Sequence, residues 1–202
     1  MPVGRPRSQA SRQAILDATV EMLEDGGWAA LTVEGIAQRA GVGKQTIYRW
    51  YGGDLGRVVV DAYIDASDAR LDPPDTGSVR DDLVGIVVPV ARRNRRRDRG
   101  TALANRSLMA HAQVSPEFAE AYRRLHQHWR GPMLDAVRRG VVRGELRAAT
   151  DADLVVDLLL GLQWYRLLVG HRPTTHGDAA TSVDAVLAGF NAVTSAPPGE
   201  SP

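Results

Sequence analysis

The spacing of apolar residues constrains the fold of this chain more than any other feature. Apolar residues recur every three or four positions along nearly the whole sequence, and almost no segment shows the two-residue alternation of a half-buried strand. Because steps of three and four keep side chains on one face of a helix, the pattern predicts an all-α protein. The longest such stripe comprises Phe118, Tyr122, Leu125, Trp129, Met133, Val137 and Val141.

Capping residues, glycines and prolines predict where the helices begin and end. Ser8 or Ser11 is expected to cap the first helix, and Gly26 with Gly27 is expected to end it. The clearest linker is DPPDTG at 72–77. Further helices are predicted over 33–40, 44–50, 55–71, 101–113, 154–169 and 178–194. Two more helices are predicted to begin after caps at Ser78 and Ser115. Pro89 and Pro132 are expected to bend the helices that contain them.

Charge and composition limit the possible partners. The chain has 25 basic and 24 acidic residues, so any contact with nucleic acid must rely on local positive charge. No apolar run is long enough for a membrane helix, and the N-terminal residues lack the apolar core of a signal peptide. A soluble cytoplasmic protein without a membrane partner is therefore expected.

Residues suited to catalysis or metal binding are poorly arranged. There is no cysteine, which excludes disulfides and thiolate ligands. His126 and His128 are two positions apart and point to different sides of a helix, so no metal site is expected. No Gly-rich phosphate loop follows a strand, and no Ser-His-Asp grouping is supported. The interpretation is a protein that is not an enzyme and has no cofactor.

The segment 32–51, TVEGIAQRAGVGKQTIYRWY, has the spacing of a helix-turn-helix. Ile36 and Ala40 face inward one turn apart, and Gly41 stands where the turn needs a positive φ. Polar residues are left for a DNA groove: Lys44, Gln45, Thr46, Tyr48 and Arg49. Lys and Arg bind guanine or phosphate, Gln binds adenine, Thr touches a thymine methyl and Tyr donates to phosphate. The alternative is a pair of short helices joined by an ordinary glycine turn.

Two longer stretches resemble a known family. GRPR followed by AILDATVEMLEDGGWAALTVEGIAQRAGVGKQTIYRW, within residues 4–50, resembles the DNA-binding domain of the TetR family of regulators. RGELRAATDADLVVDLLLGLQWYRLLVG resembles the C-terminal domain of one TetR subgroup. The resemblance implies an N-terminal three-helix bundle with the helix-turn-helix, joined by a linking helix to a helical ligand-binding and dimerisation domain. The expected boundaries are 1–52, 53–196 and a disordered tail at 197–202.

The resemblance also implies roles for particular residues. Thr32 and Gly43 are expected to contact DNA, and Arg5 and Arg7 are expected to form a basic arm that reaches a neighbouring groove. A ligand cavity is expected in the body, with core packing as the alternative for each lining residue. The candidate lining residues are Leu108, Met109, His111, Leu125, Trp129, Met133, Gln163, Trp164 and Arg166.

A second subunit is expected to cover part of the helix at 154–169, because that helix is apolar almost all round. The resemblance assigns dimerisation to the last two helices. The candidate interface residues are Leu154, Leu158, Gly161, Leu162, Tyr165, Val183, Leu187 and Phe190.

The sequence departs from the family just after Trp50. The family has a lysine in this turn that contacts a phosphate, whereas this chain has Tyr51-Gly52-Gly53-Asp54-Leu55, which puts that contact in question. Six arginines between 92 and 99 form the strongest local positive charge. They are interpreted either as a further site that binds phosphate or an anionic ligand, or as a solvated helix end.

The expected function is that of a homodimeric transcription repressor acting on the nucleoid. A small-molecule effector would release it from a palindromic, double-stranded DNA operator. The alternatives are an activator or ligand-independent regulator, or a helical dimer that binds a protein or an apolar ligand without DNA.

Overall fold

The computed structural model describes residues 5–68, 74–95 and 100–191, and this part of the chain forms nine α-helices and no strand. The predicted all-α class is therefore confirmed. The helices are Arg5–Gly26 (α1), Val33–Arg39 (α2), Lys44–Tyr51 (α3), Leu55–Asp68 (α4), Val79–Arg93 (α5), Thr101–Val114 (α6), Pro116–Val142 (α7), Ala152–Val169 (α8) and His176–Ala188 (α9). A single 3₁₀ turn, Trp28–Ala30, follows α1. Across the described ranges, no helix is both long and apolar enough to cross a membrane.

The chain divides into two compact units, each built from separate stretches of sequence. The first unit comprises 1–72, 93–129 and 166–173, and the second comprises 73–92, 130–165 and 174–202. The first unit therefore contains the predicted DNA-binding region together with α4, α6 and the beginning of α7. The functional boundary near residue 52 stays a prediction, and the tail at 197–202 lies outside the described residues.

The first unit packs around α1, which contacts α2, α4 and α6. Ile15 and Leu23 from α1 are completely buried, as are Ile36 from α2 and Ile47 from α3. They share one core with Val58 from α4. Each fully buried side chain of this size contributes about 1.5–3 kcal/mol. This shared core fixes both short helices of the helix-turn-helix against α1 and α4.

The second unit has its own core, formed by α5, α8, α9 and the later part of α7. Leu83, Met133, Val155, Leu159 and Val183 are all buried within it. Pro89 and Pro132 lie inside α5 and α7, which continue past them.

Three predicted helix ends were wrong. The first helix begins at Arg5, so neither Ser8 nor Ser11 caps it. The last helix begins at His176, because Thr175 and Asp178 form a capping box in which each side chain accepts from the other's backbone N–H. The last helix also ends at Ala188, where the N–H groups of Phe190 and Asn191 both donate to the carbonyl of Leu187.

Candidate nucleic-acid interface

The turn between α2 and α3 has the geometry that a helix-turn-helix requires. The hydroxyl of Thr32 accepts a hydrogen bond from the N–H of Gly35 at 2.9 Å, so Thr32 caps α2. Gly41 has a φ of 65°, the positive value expected for it. The N–H of Val42 then donates to the carbonyl of Ala37 at 3.0 Å, which closes the turn. The residue types at these positions therefore set the angle at which α3 leaves α2.

One side of α3 is anchored and the other is open. Ile47 and Tyr51 are buried against the first unit's core. Burial raises the pKa of the Tyr51 phenol, and the nearby Asp61 carboxylate raises it further, so this group stays neutral. Lys44, Gln45, Tyr48 and Arg49 are exposed, and Thr46 is half-buried. The structure thus brings the five predicted groove-facing residues together on a helix whose opposite side is fixed.

Acidic side chains lie close to two of the basic residues. The Nζ atom of Lys44 is 4.0 Å from Glu34, and Nη1 of Arg39 is 2.7 Å from Asp25. Exposed pairs of this kind contribute about 0–1 kcal/mol, so a phosphate can displace Glu34 from Lys44 at little cost. The guanidinium of Arg49 lies 5.6 Å from the ring centre of Trp50.

The turn after α3 explains the departure from the family pattern. Gly52 adopts the left-handed conformation with a φ of 66°, and its N–H donates to the carbonyl of Tyr48 at 2.8 Å. Asp54 then caps α4, because its carboxylate accepts from the N–H of Arg57 at 3.2 Å. The acid therefore has a structural role at a helix start, and the family's lysine has no counterpart in this turn.

The remaining predicted DNA-binding positions are Gly43, Arg5 and Arg7. Gly43 is the N-cap of α3 and is exposed, with a φ of −71° that any residue can adopt. A Cβ atom at Gly43 would have no neighbour within 4 Å, so packing does not require glycine there. Arg5 and Arg7 lie at the start of α1, and their side chains are outside the described part of the chain.

The arginine cluster is described only in part. Arg92 and Arg93 belong to the last turn of α5, and Arg95 follows that helix. Arg96, Arg97 and Arg99 lie outside the described residues. Both interpretations of the cluster therefore stay predictions.

Most of the predicted ligand-binding residues in the first unit take part in its packing. Leu108 and Leu125 are completely buried in the core, and Met109, Trp129 and Arg166 are half-buried. His111 is stacked on Trp28, with ring centres 3.9 Å apart, and it also meets Phe118 at 5.1 Å. Burial lowers the pKa of His111 and favours its neutral form. Trp28 was missed by the sequence analysis because it follows a glycine break and belongs to no apolar stripe.

The predicted ligand-binding residues of the second unit are Met133, Gln163 and Trp164. Met133 is buried in the core, and Trp164 is half-buried. Gln163 is only 4% exposed, and neither its amide nitrogen nor its amide oxygen has a hydrogen-bond partner among the described residues. An unsatisfied buried amide costs about 1–3 kcal/mol, so a polar group placed beside Gln163 would recover part of that cost.

The predicted dimer residues separate into two groups. Leu154, Leu158, Gly161 and Tyr165 are exposed, whereas Leu162 and Phe190 are half-buried. Val183 and Leu187 point into the core of their own unit, so their side chains are not available to a partner. The sequence pattern marked the apolar face of α9 correctly, but it did not show that this face packs inward.

An anchored helix-turn-helix, in a chain whose described part is entirely helical, is the architecture of a DNA-binding protein. Residues 15–53 match the model of the bacterial regulatory proteins of the tetR family, and residues 73–186 match a tetracyclin repressor-like C-terminal domain. The chain belongs to the TetR family and is a regulator, not an enzyme.

Individual proteins support this membership. An HTH-type transcriptional regulator of Bacillus subtilis, YdeS, is 36% identical over 167 residues, which cover 82% of each chain. AqdR, an HTH-type transcriptional regulator of Rhodococcus erythropolis, is 30% identical over 77% of this chain and 73% of its own. A crystal structure of a TetR family transcription regulator superposes with a TM-score of 0.77 at 30% identity, covering 89% of this chain and 98% of that one.

Proposed function

We propose that this TetR family regulator is a homodimeric repressor that leaves a palindromic operator when a small molecule binds. The observation that carries the proposal is the open face of α3, where Lys44, Gln45, Tyr48 and Arg49 project from a helix anchored on its other side. A dimer would place two such helices about one DNA turn apart, roughly 34–36 Å, so each half-site would repeat the other. It would act in the cytoplasm on the nucleoid.

The DNA contacts follow from the chemistry of the exposed groups. Lys44 and Arg49 would bind phosphate or guanine, Gln45 would read adenine, and Thr46 would meet a thymine methyl. The hydroxyl of Thr32 uses one lone pair for its capping bond and can still donate its proton to a phosphate. Gly43 is exposed and needed neither for φ nor for packing, which is compatible with close approach of a DNA backbone.

Dimerisation is proposed through the outer face of α8. Leu154, Leu158, Gly161 and Tyr165 follow steps of four, three and four, so they lie on one side of the helix. Leu154 is 47% exposed and Leu158 is 48% exposed, so two large apolar side chains on this face are left in contact with water. Covering this face with the same face of a second copy gives the isologous contact typical of twofold dimers.

An effector is proposed because of the buried amide of Gln163. A ligand with one hydrogen-bond donor and one acceptor would satisfy both of its free amide atoms and recover the cost of their burial. The ligand changes operator affinity only by as much as its affinities for the two states differ.

The test is a fluorescence-anisotropy titration of the full chain against the duplex that flanks its own gene. A scrambled duplex of the same composition is the control, and both are measured at several salt concentrations. Sequence-dependent binding with a steep salt dependence is the expected result. Equal, weak binding to the flanking duplex, to the scrambled duplex and to sequences selected from random DNA would reject operator binding.

The Lys44→Ala variant tests whether this one residue contacts DNA. It should cost about 1–3 kcal/mol if Lys44 reads a base, and it should lower the salt slope by about one if Lys44 neutralises a phosphate. Arg123→Ala is the matched control, because it also removes one exposed positive charge, from α7. If both variants bind like the wild type, Lys44 makes no contact with DNA. The change in target transcript on deleting the gene distinguishes repression from activation.

A further inference from the structure

The ring of Tyr48 lies directly over Gly53, five residues further along the chain. A Cβ atom placed on Gly53 would be 2.6 Å from Cε1 of Tyr48 and 3.0 Å from its Cδ1. Atoms do not approach this closely, so any side chain at position 53 would have to displace the ring. Tyr48 is 45% exposed, so its ring can move outward without disturbing the core.

Gly52 provides an internal comparison for Gly53. Both glycines have a positive φ, 66° at Gly52 and 83° at Gly53, so both backbones favour glycine. A Cβ atom on Gly52, however, would have nothing within 4 Å. The two positions therefore share the conformational requirement, and only Gly53 also has the steric one.

The backbone of the same turn holds Tyr48 from a second direction. The N–H of Gly52 donates to the carbonyl of Tyr48 at 2.8 Å. Gly52 thus holds the backbone of Tyr48 through a helical hydrogen bond, and the missing side chain of Gly53 leaves room for the ring. A tyrosine that is half-exposed at the end of a helix normally has several accessible rotamers, and a flat glycine surface beneath the ring favours one of them.

We propose that Gly53 is a positioning residue for DNA recognition, which sets the direction of the Tyr48 ring and hydroxyl towards the phosphate backbone. This inference rests on the proposed contact between Tyr48 and DNA. In this chain the turn that lacks the family's lysine still contributes to DNA binding, because it orients the neighbouring tyrosine instead of supplying a cation.

The experiment compares Gly53→Ala with Gly52→Ala in the full chain, against the duplex recovered by selection from a random-sequence library. Both variants carry a positive-φ penalty, and thermal unfolding followed by circular dichroism measures it for each, so that any difference in folding can be separated from a difference in DNA binding. Gly53→Ala is expected to weaken operator binding by about three- to tenfold more than Gly52→Ala, the cost of moving a side chain off its preferred rotamer. If an alanine variant does not fold, Gly53→Asn and Gly52→Asn are compared instead, because asparagine tolerates positive φ better than alanine.

The same comparison in a Tyr48→Ala background shows whether Gly53 acts through the ring. With the ring removed, Gly53→Ala and Gly52→Ala should weaken binding equally. Equal effects in the wild-type background would overturn the inference, and so would an excess for Gly53→Ala that persists without the ring. If Tyr48→Ala alone leaves affinity unchanged, the DNA contact assigned to Tyr48 in the proposed function is wrong. If Tyr48→Ala weakens binding but Gly53→Ala and Gly52→Ala have the same operator affinity, only the positioning role of Gly53 is wrong.

Discussion

Replacing Asp82 by asparagine should destabilise the protein far more than replacing its neighbour Asp81. Asp82 is completely buried in the second unit. One of its oxygens accepts from the N–H and the hydroxyl of Thr76, both at 2.7 Å, and the other accepts from Nη2 of Arg139 at 3.0 Å. Asparagine keeps the shape and the first oxygen, but it places an NH₂ group against the guanidinium.

The magnitude follows from the bonds that are lost. One charge-assisted hydrogen bond to a buried carboxylate is worth about 1.5–3 kcal/mol. In the variant, Arg139 still has Asp75 as an ion-pair partner, 3.4 Å from its Nε. This remaining pair limits the cost of losing the Asp82 carboxylate. A loss of about 2–3 kcal/mol in the free energy of unfolding is therefore expected, which lowers the melting temperature by about 4–12 °C for a chain of this length.

Urea unfolding at pH 7, followed by circular dichroism, measures this difference. Asp81→Asn is the matched control, because Asp81 is exposed and pairs with Arg80 at 3.1 Å. It should change stability by no more than about 0.5 kcal/mol, as surface pairs do. The reasoning is refuted if the two variants lose the same stability.

The pH dependence provides an independent check. Burial alone raises the pKa of Asp82, but the hydrogen bonds from Thr76 and the charge of Arg139 outweigh it, so the pKa lies below its ordinary value of 3.8. A lowered pKa in the folded state means that the carboxylate stabilises the protein above the unfolded pKa, and that this stabilisation disappears as pH falls through the folded one. The difference between wild type and Asp82→Asn should be constant from neutral pH down to about 5 and shrink below about 4.

Three further predictions concern the helix-turn-helix, the dimer and the effector site. Thr32→Ala removes the cap of α2 and should cost about 1 kcal/mol of stability by thermal unfolding, and restoration by Thr32→Ser is the control. Leu158→Glu should produce a monomer in sedimentation velocity, because a charge cannot be buried unpaired; Val142→Glu, which alters an exposed valine on α7, should leave the dimer intact. Gln163→Leu should stabilise the ligand-free protein by about 1–2 kcal/mol and abolish its response to effector, because it removes an unsatisfied buried amide; lower stability in urea unfolding would show that the amide has a partner.

The helix-turn-helix was predictable because its signals are local. A cap such as Thr32 and a positive-φ glycine such as Gly41 act through their own and adjacent backbone, and Gly41 has the predicted positive φ. The prediction that Ile36 faces inward needed only the helical period, and Ile36 is completely buried. The capping box of Thr175 and Asp178 is equally local, although the predicted start of that helix at 178 does not include it.

Features that depend on distant residues were not predictable. The apolar stripe of α9 includes Val183 and Leu187, and its period alone cannot say whether the core or a partner covers it. The stacking of His111 on Trp28 joins residues more than eighty positions apart.

By itself, the sequence determined the helical class, the recognition helix and the side of that helix which stays open. These are consequences of residue type and of spacing within one or two turns. Only the tertiary structure decided that Asp82 is buried beside Arg139, that Gln163 is enclosed without a hydrogen-bond partner among the described residues, and that Gly53 lies beneath the ring of Tyr48. Each of these depends on where chain segments or side chains meet in space, which composition and periodicity leave open.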